Sequence, residues 1–136
     1  MDLSIEQHVY DGMLVAARKA APLESCGLCG GNDRRVTRFY ELTNADASPE
    51  HFSMIPEEQF AAVKDMRAAG LKMIAIWHSH PATPPRMSAE DLRLAFTPDV
   101  AYVILSLAAA PPEMGAYTVR DAAPHRVDVI VADKTE

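Results

Sequence analysis

Two histidines one residue apart, with an acid shortly after them, are the side chains of this sequence best suited to chemistry. His78 and His80 lie in the run Trp77-His78-Ser79-His80-Pro81, and Asp91 follows in Ser88-Ala89-Glu90-Asp91. Two imidazole nitrogens and a carboxylate oxygen are ligands for Zn²⁺, and a catalytic zinc keeps its fourth position open for water. Water bound there has its pKa lowered to about 7 and becomes a nucleophile at neutral pH. The segment predicts a hydrolytic site with one zinc ion per chain.

A β-strand would bring both histidines to one side of a sheet. Leu71–Trp77 is apolar on both faces, which is typical of a central strand covered by helices on each side. Because side chains alternate along a strand, Ile74 and Ile76 are expected on the same face as both histidines, with Ser79 on the other. Ligands two residues apart can then converge on one ion.

The acid is expected at the start of a short helix. Pro81–Met87 carries three prolines and cannot continue the sheet. Ser88 then reads as the N-cap of a helix through about Ala95, with Asp91 at the third helical position, where the helix dipole favours an acid. Two simpler interpretations stay open, in which the acid is only part of a capping box and the histidines are only hydrogen-bonded residues at a sheet edge.

The rest of the chain predicts an α/β domain. Ser4-Ile5-Glu6-Gln7 resembles a capping box that starts a helix at Ser4, and Pro22 closes that helix. A turn is expected at Gly30–Asp33, and a second helix from Pro56 to a stop at Gly70. Further strands are predicted at Cys26–Gly31, Val36–Leu42, Ala101–Leu107, Ala116–Arg120 and Arg126–Val131.

Length and charge limit the classes of function. The 136 residues are enough for a single domain spanning 1–136 with its own core. A net charge of −6 argues against nucleic acid or an anionic membrane as partner. No apolar run reaches the length of a membrane span and no leader opens the chain, so we expect a cytoplasmic protein.

The run His78-Ser79-His80-Pro81, followed seven residues later by Ser88-x-x-Asp91, resembles the signature of the JAMM (MPN-plus) metalloproteases. The resemblance extends upstream, where Pro22–Gly30 is similar to the family's acidic residue before a glycine-containing strand. Other positions match the family's general pattern: Asn44, Phe52 and the strand Tyr102–Ser106.

The resemblance implies a deaminase-like three-layer α/β sandwich, with a curved mixed sheet flanked by helices. It implies that His78, His80 and Asp91 hold Zn²⁺. Glu24 would act as general base toward the zinc water and return the proton to the leaving amine, and Ser88 would stabilise the oxyanion. Spacing alone does not bring Glu24 to the site, and without the resemblance Glu90 or Glu50 could compete as the base.

The activity implied is hydrolysis of amide or isopeptide bonds after the C-terminal glycine of a ubiquitin-like protein. Short connections around Asn32–Ser53 and after Phe96 make the chain similar to the small prokaryotic branch. The implied partner is therefore a ubiquitin-like or sulfur-carrier protein, from which the enzyme would remove an attached residue such as cysteine. The oligomeric state is left open.

Three other functions compete with this interpretation. Cys26-Gly27-Leu28-Cys29 matches the spacing of a thiol redox centre, but Gly30-Gly31 follows it instead of a helix. Zinc deaminases use His-x-Glu with a later Pro-Cys-x-x-Cys, which this chain lacks. A non-catalytic MPN-type scaffold is the remaining alternative.

The other histidines are expected at the surface or at an interface: His8, His51 and His125.

Overall fold

Seven strands and three helices lie within residues 2–132, which are the residues described in the computed structural model. In chain order the elements are β1 (Asp2–Glu6), α1 (Gln7–Ala20), β2 (Cys26–Asn32), β3 (Arg35–Leu42), α2 (Pro56–Ala68), β4 (Lys72–His80), α3 (Ala89–Leu94), β5 (Ala101–Ser106), β6 (Glu113–Arg120) and β7 (Ala123–Ala132).

The strands form one mixed sheet in the order β1-β3-β2-β4-β5-β6-β7. It closes on itself because β1 pairs in parallel with both β3 and β7. The β4–β5 pair is also parallel, and the remaining neighbours are antiparallel. The predicted α/β fold with a curved mixed sheet between helices is confirmed, with curvature strong enough to close the sheet.

The two long helices cover opposite faces of the sheet. Val9 and Met13 of α1 are buried in one cluster with Trp77 of β4, whereas Met66 of α2 packs with Leu28 of β2 in a second cluster. Burying each large side chain contributes roughly 1.5–3 kcal/mol. This two-sided cover explains why β4 is apolar on both faces.

The predicted start of the first helix is wrong. Ser4 lies in β1, where its backbone N–H donates to the carbonyl of Arg34 at 2.9 Å, and the helix begins at Gln7 after Glu6 as N-cap residue. The strand exists because β3 and β7 pair with it on both sides, and β7 comes from the far end of the chain. A local capping pattern cannot reveal such a partner.

Strand β4 is central, as predicted, and it continues through both histidines. A register shift against β2 leaves Ile74 unpaired between Met73 and Ala75. This β-bulge breaks the simple alternation of faces. Ile74 therefore packs on the α1 side while Ile76 packs on the α2 side, which corrects the expectation that the two share a face.

The hairpin between β2 and β3 turns at Asp33 and Arg34, whose φ angles are 52° and 62°. The turn therefore lies closer to the C-terminus than the predicted range Gly30–Asp33. Gly31 stays in the strand, where a Cβ would lie 1.8 Å from the carbonyl oxygen of Arg35. That glycine serves the close approach of two strands rather than the turn.

The second helix begins at Pro56 as predicted, and Gly70 follows its end with a φ of 74°. Strands β6 and β7 begin earlier than predicted, and β7 includes Pro124 opposite Val119. No helix within residues 2–132 combines the length and the apolar character needed to cross a membrane.

Candidate functional site

Both histidines lie at the end of β4 with their rings turned to the same side. The side chains of His78 and His80 are buried, and their Nε2 atoms are 3.1 Å apart. The strand is paired on each side there, with His78 opposite Cys26 of β2 and Ile104 of β5. Two neighbouring strands therefore fix the backbone that carries the imidazoles.

Asp91 reaches the histidines from the first turn of α3. Its Oδ2 lies 3.1 Å from His80 Nε2 and 3.4 Å from His78 Nε2. The same oxygen accepts the Ser88 backbone N–H at 2.9 Å, and Ser88 Oγ accepts the Asp91 N–H at 3.0 Å. The capping box and the approach to the histidines thus occur together, so the two readings of this acid do not exclude each other.

The tautomer of His80 follows from its other neighbour. Its Nδ1 lies 2.9 Å from the carbonyl oxygen of Pro84, which can only accept a hydrogen bond. A neutral His80 therefore carries its proton on Nδ1 and presents a lone pair at Nε2. This outward bond to a carbonyl is the usual support of a metal-binding histidine.

The three facing atoms are suited to a cation. Two ligands of a tetrahedral zinc, each about 2.0–2.1 Å from the ion, are about 3.3 Å from each other. The separations among His78 Nε2, His80 Nε2 and Asp91 Oδ2 are 3.1, 3.1 and 3.4 Å. A cation would satisfy all three lone pairs at once, so the donor set and its spacing fit zinc.

Glu24 lies beside the same histidines. Glu24, His78 and His80 each place one potential ligand atom within 4.8 Å of the others. The Glu24 side chain is buried, and its Oε1 has no hydrogen-bond partner. The structure thus brings all four predicted acids and imidazoles to one place.

Burial dominates the ionisation of Glu24. It raises the pKa of this carboxyl to about 8, against an opposing effect of His80, and the negative charges of Asp91 and Glu50 raise it further. At neutral pH the carboxyl is mostly protonated unless a cation is nearby. A pKa shifted in this way at a cluster of buried polar groups is typical of functional sites.

Two neighbouring groups, His78 and Asp91, both have a lowered pKa, but for different physical reasons. Burial lowers the pKa of His78 even though Asp91 hydrogen-bonds to it. Burial would by itself raise the pKa of Asp91, but the hydrogen bonds from both histidines outweigh it and hold the pKa well below its usual range. Asp91 is therefore an anion facing two imidazoles.

A loop between β3 and α2 holds the backbone of Glu24. The Glu24 N–H donates to the carbonyl of Ser48 at 2.9 Å, and its own carbonyl accepts from Asn44 Nδ2 at 3.1 Å. The Phe52 ring packs on His78 with centroids 4.7 Å apart. Asn44 and Phe52, two of the positions that match the family pattern, thus contact the Glu24 backbone and the His78 ring from one loop.

The register between β2 and β4 explains how Glu24 reaches its position. Cys26 pairs with His78, and the antiparallel register continues beyond the strand, where the Ser79 N–H donates to the Ser25 carbonyl at 2.9 Å. One step further, Glu24 falls opposite His80. Sequence reasoning did not single out Ser25, because the register of a distant strand pair was needed to find it.

The competing acids lie elsewhere. Glu90 is paired with Arg93 through Oε2 at 2.7 Å, and Glu50 is exposed. Ser88 is exposed at the N-terminus of α3. Of the remaining histidines, His8 contacts Glu6 and His51 contacts Asp46.

The two cysteines lie in an environment that disfavours thiol redox chemistry. Both are free and buried in β2, three residues apart on opposite faces. Burial raises the pKa of the Cys26 thiol to about 12 and raises that of Cys29 as well. A reactive cysteine needs a lowered pKa, usually from a helix N-terminus or a cation; among residues 2–132 the groups that shift the pKa of Cys26 are acids, and burial alone shifts that of Cys29.

A model of prokaryotic homologs of the JAB domain matches residues 6–129. The chain belongs to this family. The resemblance to JAMM proteases is thereby confirmed. This chain is 34% identical over 106 residues to the CysO-cysteine peptidase of Mycobacterium tuberculosis. The match covers 76% of this chain and 73% of the relative.

A second relative is the desampylase of Haloferax volcanii, with 32% identity over 111 residues, 76% of this chain and 80% of that one. Among solved structures, protein DSY2949 of Desulfitobacterium hafniense is similar with a TM-score of 0.90 and 44% identity, over 98% of this chain and 95% of the other. One of these two relatives is thus a peptidase and the other a desampylase, and the fold of the chain recurs almost throughout its length.

Proposed function

We propose that this JAB protein is a zinc-dependent peptidase or isopeptidase that cleaves after the C-terminal glycine of a ubiquitin-like or sulfur-carrier protein. One observation carries the proposal: His78 Nε2, His80 Nε2 and Asp91 Oδ2 converge beside the buried, unpartnered carboxyl oxygen of Glu24. A scaffold would have no use for a buried acid that lacks a partner.

His78, His80 and Asp91 are the residues that would hold one zinc ion per chain. When bound, zinc supplies a Lewis acid that makes water nucleophilic at neutral pH and polarises the scissile carbonyl. The Pro84 carbonyl keeps His80 in the tautomer that presents Nε2, and the Ser88 N–H orients the carboxylate of Asp91.

Glu24 is the proposed general base and acid. Its carboxylate accepts a proton from the attacking water and returns that proton to the leaving amine, so the carboxylate is regenerated in each cycle. Burial prepares this acid for proton transfer near neutral pH, because it brings the pKa close to the working range. A cation held by the neighbouring ligands would favour the carboxylate form before the reaction starts.

Ser88 is the proposed donor to the oxyanion of the tetrahedral intermediate. Its Oγ accepts the Asp91 N–H as a helix cap, and its own hydroxyl proton remains available on the exposed side. A positioned donor of this kind typically accelerates hydrolysis by roughly a hundredfold or more.

The names of the two relatives support the substrate class. One is a peptidase for a CysO–cysteine linkage and the other is a desampylase. A carrier that ends in glycine would be freed from an attached cysteine, from another amine or from a C-terminal extension. We also propose that residues 1–136 act as a single domain in the cytoplasm, where the buried free thiols Cys26 and Cys29 would stay reduced.

The test is to incubate the zinc-loaded protein with sulfur-carrier adducts and ubiquitin conjugates, with and without a chelator, and to measure product masses. We expect cleavage directly after the terminal glycine, loss of that cleavage with chelator, and recovery with added zinc. Chelator-resistant cleavage, or zinc binding without turnover of any conjugate, would contradict the proposal.

A further inference from the structure

The loop that leads from the second histidine to Ser88, residues 81–88, is held by its own backbone carbonyls. We call it the proline loop. Three consecutive carbonyls accept hydrogen bonds from three different strands. The pairs are Ser106 Oγ to Thr83 O (2.5 Å), His80 Nδ1 to Pro84 O (2.9 Å) and Tyr117 Oη to Pro85 O (2.6 Å).

Strand β6 packs closely against the proline loop at Pro85. A Cβ on Gly115 would lie only 2.5 Å from the carbonyl oxygen of Pro85, so any larger residue would displace the loop or the strand. Tyr117 is two residues further along the same face, and its ring is buried with Arg126 stacked 5.6 Å away. Gly115 thus provides the space and Tyr117 provides the donor.

The position of the proline loop affects two of the residues at the centre. In the middle of the loop, Pro84 O accepts from His80 Nδ1 and so determines which nitrogen faces Asp91. At its C-terminal end, Ser88 accepts and donates the two capping hydrogen bonds that orient Asp91. A shift of Pro85 would therefore move His80 and Asp91, which are two of the three proposed zinc ligands.

We propose that Gly115 and Tyr117 are positioning residues for the metal site, acting through the proline loop on His80 and Asp91. The inference rests on the proposed function, because it assumes that these side chains bind zinc. Neither β6 residue touches the centre itself. Partners that orient metal ligands typically change metal affinity by about 10- to 100-fold when they are removed.

Tyr117→Phe is the sharpest variant, since it keeps the ring against Arg126 and removes only the hydroxyl. Tyr102→Phe is the matched control. Tyr102 pairs with Tyr117 across β5 and β6, is equally buried, and its hydroxyl accepts the Thr97 N–H at 3.0 Å in the loop after α3. Each variant removes the hydroxyl by which a strand tyrosine bonds a loop backbone. Tyr117 loses one bond, and Tyr102 loses the accepted bond and a donated bond to Thr97 O at 3.4 Å. Only Tyr117 contacts the proline loop.

The measurement is zinc affinity by competition with a chromophoric chelator, together with thermal unfolding of the metal-free proteins. We expect Tyr117→Phe to weaken zinc binding about tenfold or more, with Tyr102→Phe within about threefold of wild type and a similar unfolding temperature for both variants. Equal zinc affinities for both variants and wild type, or an equal loss in both, would overturn the inference. A wild-type protein that binds no zinc would instead refute the proposed function.

A second readout does not involve the metal. In ¹⁵N NMR spectra of the metal-free wild-type protein, the Nδ1–H of His80 should show the hydrogen bond to Pro84 O, and Gly115→Ala should shift that resonance. An unchanged His80 spectrum in a folded Gly115→Ala variant would show that the loop does not transmit the displacement.

Discussion

Ser79 accepts two hydrogen bonds from Ser25, one from its backbone N–H at 2.8 Å and one from its hydroxyl at 3.0 Å. Ser79 stands between the two histidines and Ser25 directly follows Glu24. The contact therefore ties the segment that carries the proposed base to the strand that carries two of the proposed ligands. It lies on the face of β4 opposite the imidazoles, as expected for Ser79.

Ser79→Ala should separate catalysis from metal binding. It leaves both donors of Ser25 without an acceptor in a buried position, which costs about 1–3 kcal/mol, and it frees Glu24 to move. We expect kcat to fall roughly tenfold to a hundredfold while the zinc content stays near one ion per chain. Ser25→Ala, which removes only the hydroxyl bond, should fall between this variant and wild type, and a Ser79→Ala enzyme with wild-type kcat would argue against the link.

Glu24→Gln should bind zinc and lose nearly all hydrolysis. The amide fills the same space but cannot accept and return the proton, so we expect a loss of about 10²–10⁴ in kcat. The measurements are the steady-state cleavage rate of a glycine-linked adduct and the zinc content of the same sample. Glu90→Gln is the matched control, because Glu90 is paired with Arg93. Glu50→Gln is a second comparison, which keeps Glu24 but removes a charge that raises its pKa. If either of these variants lost the activity and Glu24→Gln kept it, the base would have to be reassigned.

Asp91→Asn distinguishes a metal ligand from a helix cap. Asn still caps helices well, so a pure capping role predicts only a small change in stability. Loss of the anion that faces His78 and His80 should instead weaken zinc binding strongly, measured by chelator competition. Ser88→Ala, which removes the cap and keeps the carboxylate, should lower the unfolding free energy by about 0.5–2 kcal/mol and retain zinc. Equal zinc affinity in Asp91→Asn and wild type would exclude the ligand role.

Glu6 makes stability depend on pH outside the site. Burial alone would raise the pKa of this carboxyl, but hydrogen bonds from His8 and Arg35 outweigh it and lower the pKa from 4.5. An acid with a lowered pKa in the folded state stabilises above its unfolded value and loses that contribution as pH falls through the folded pKa. Glu6→Gln should therefore be less stable at neutral pH by roughly 1–2 kcal/mol.

Urea unfolding at several pH values measures this difference, which should shrink as the pH falls below about 4.5. Glu41→Gln, at an exposed acid of β3, should change stability by less than about 0.5 kcal/mol at any pH. A difference between Glu6→Gln and wild type that stays constant from neutral to acid pH would contradict the assigned ion pair.

The parts of the site that could be predicted from sequence are those fixed by local geometry. Alternation along β4 places His78 and His80 together, and the Ser88–Asp91 spacing defines a capping box within one helical turn. Where the local pattern has to compete with a distant strand, it fails: Ser4 looks like a helix cap and is held in β1 by β3 and β7. The bulge at Ile74 could not be predicted either, because it depends on the register between β4 and the distant strand β2.

Glu24 shows the limit most clearly. Its approach to the histidines depends on the register Cys26 opposite His78, which joins residues far apart in the chain. Only the family resemblance pointed to it. Tyr117 and Gly115 carry no sequence signal either, since their role follows from which loop lies against β6.

The most direct test of the central claim is a crystal structure of the zinc-soaked protein with anomalous data collected at the zinc edge. We predict one strong anomalous peak per chain, about 2.0–2.1 Å from His78 Nε2, His80 Nε2 and an oxygen of Asp91, with the Glu24 carboxylate facing it. No peak at these three residues at full zinc saturation, or a peak bound elsewhere on the chain, would contradict the account.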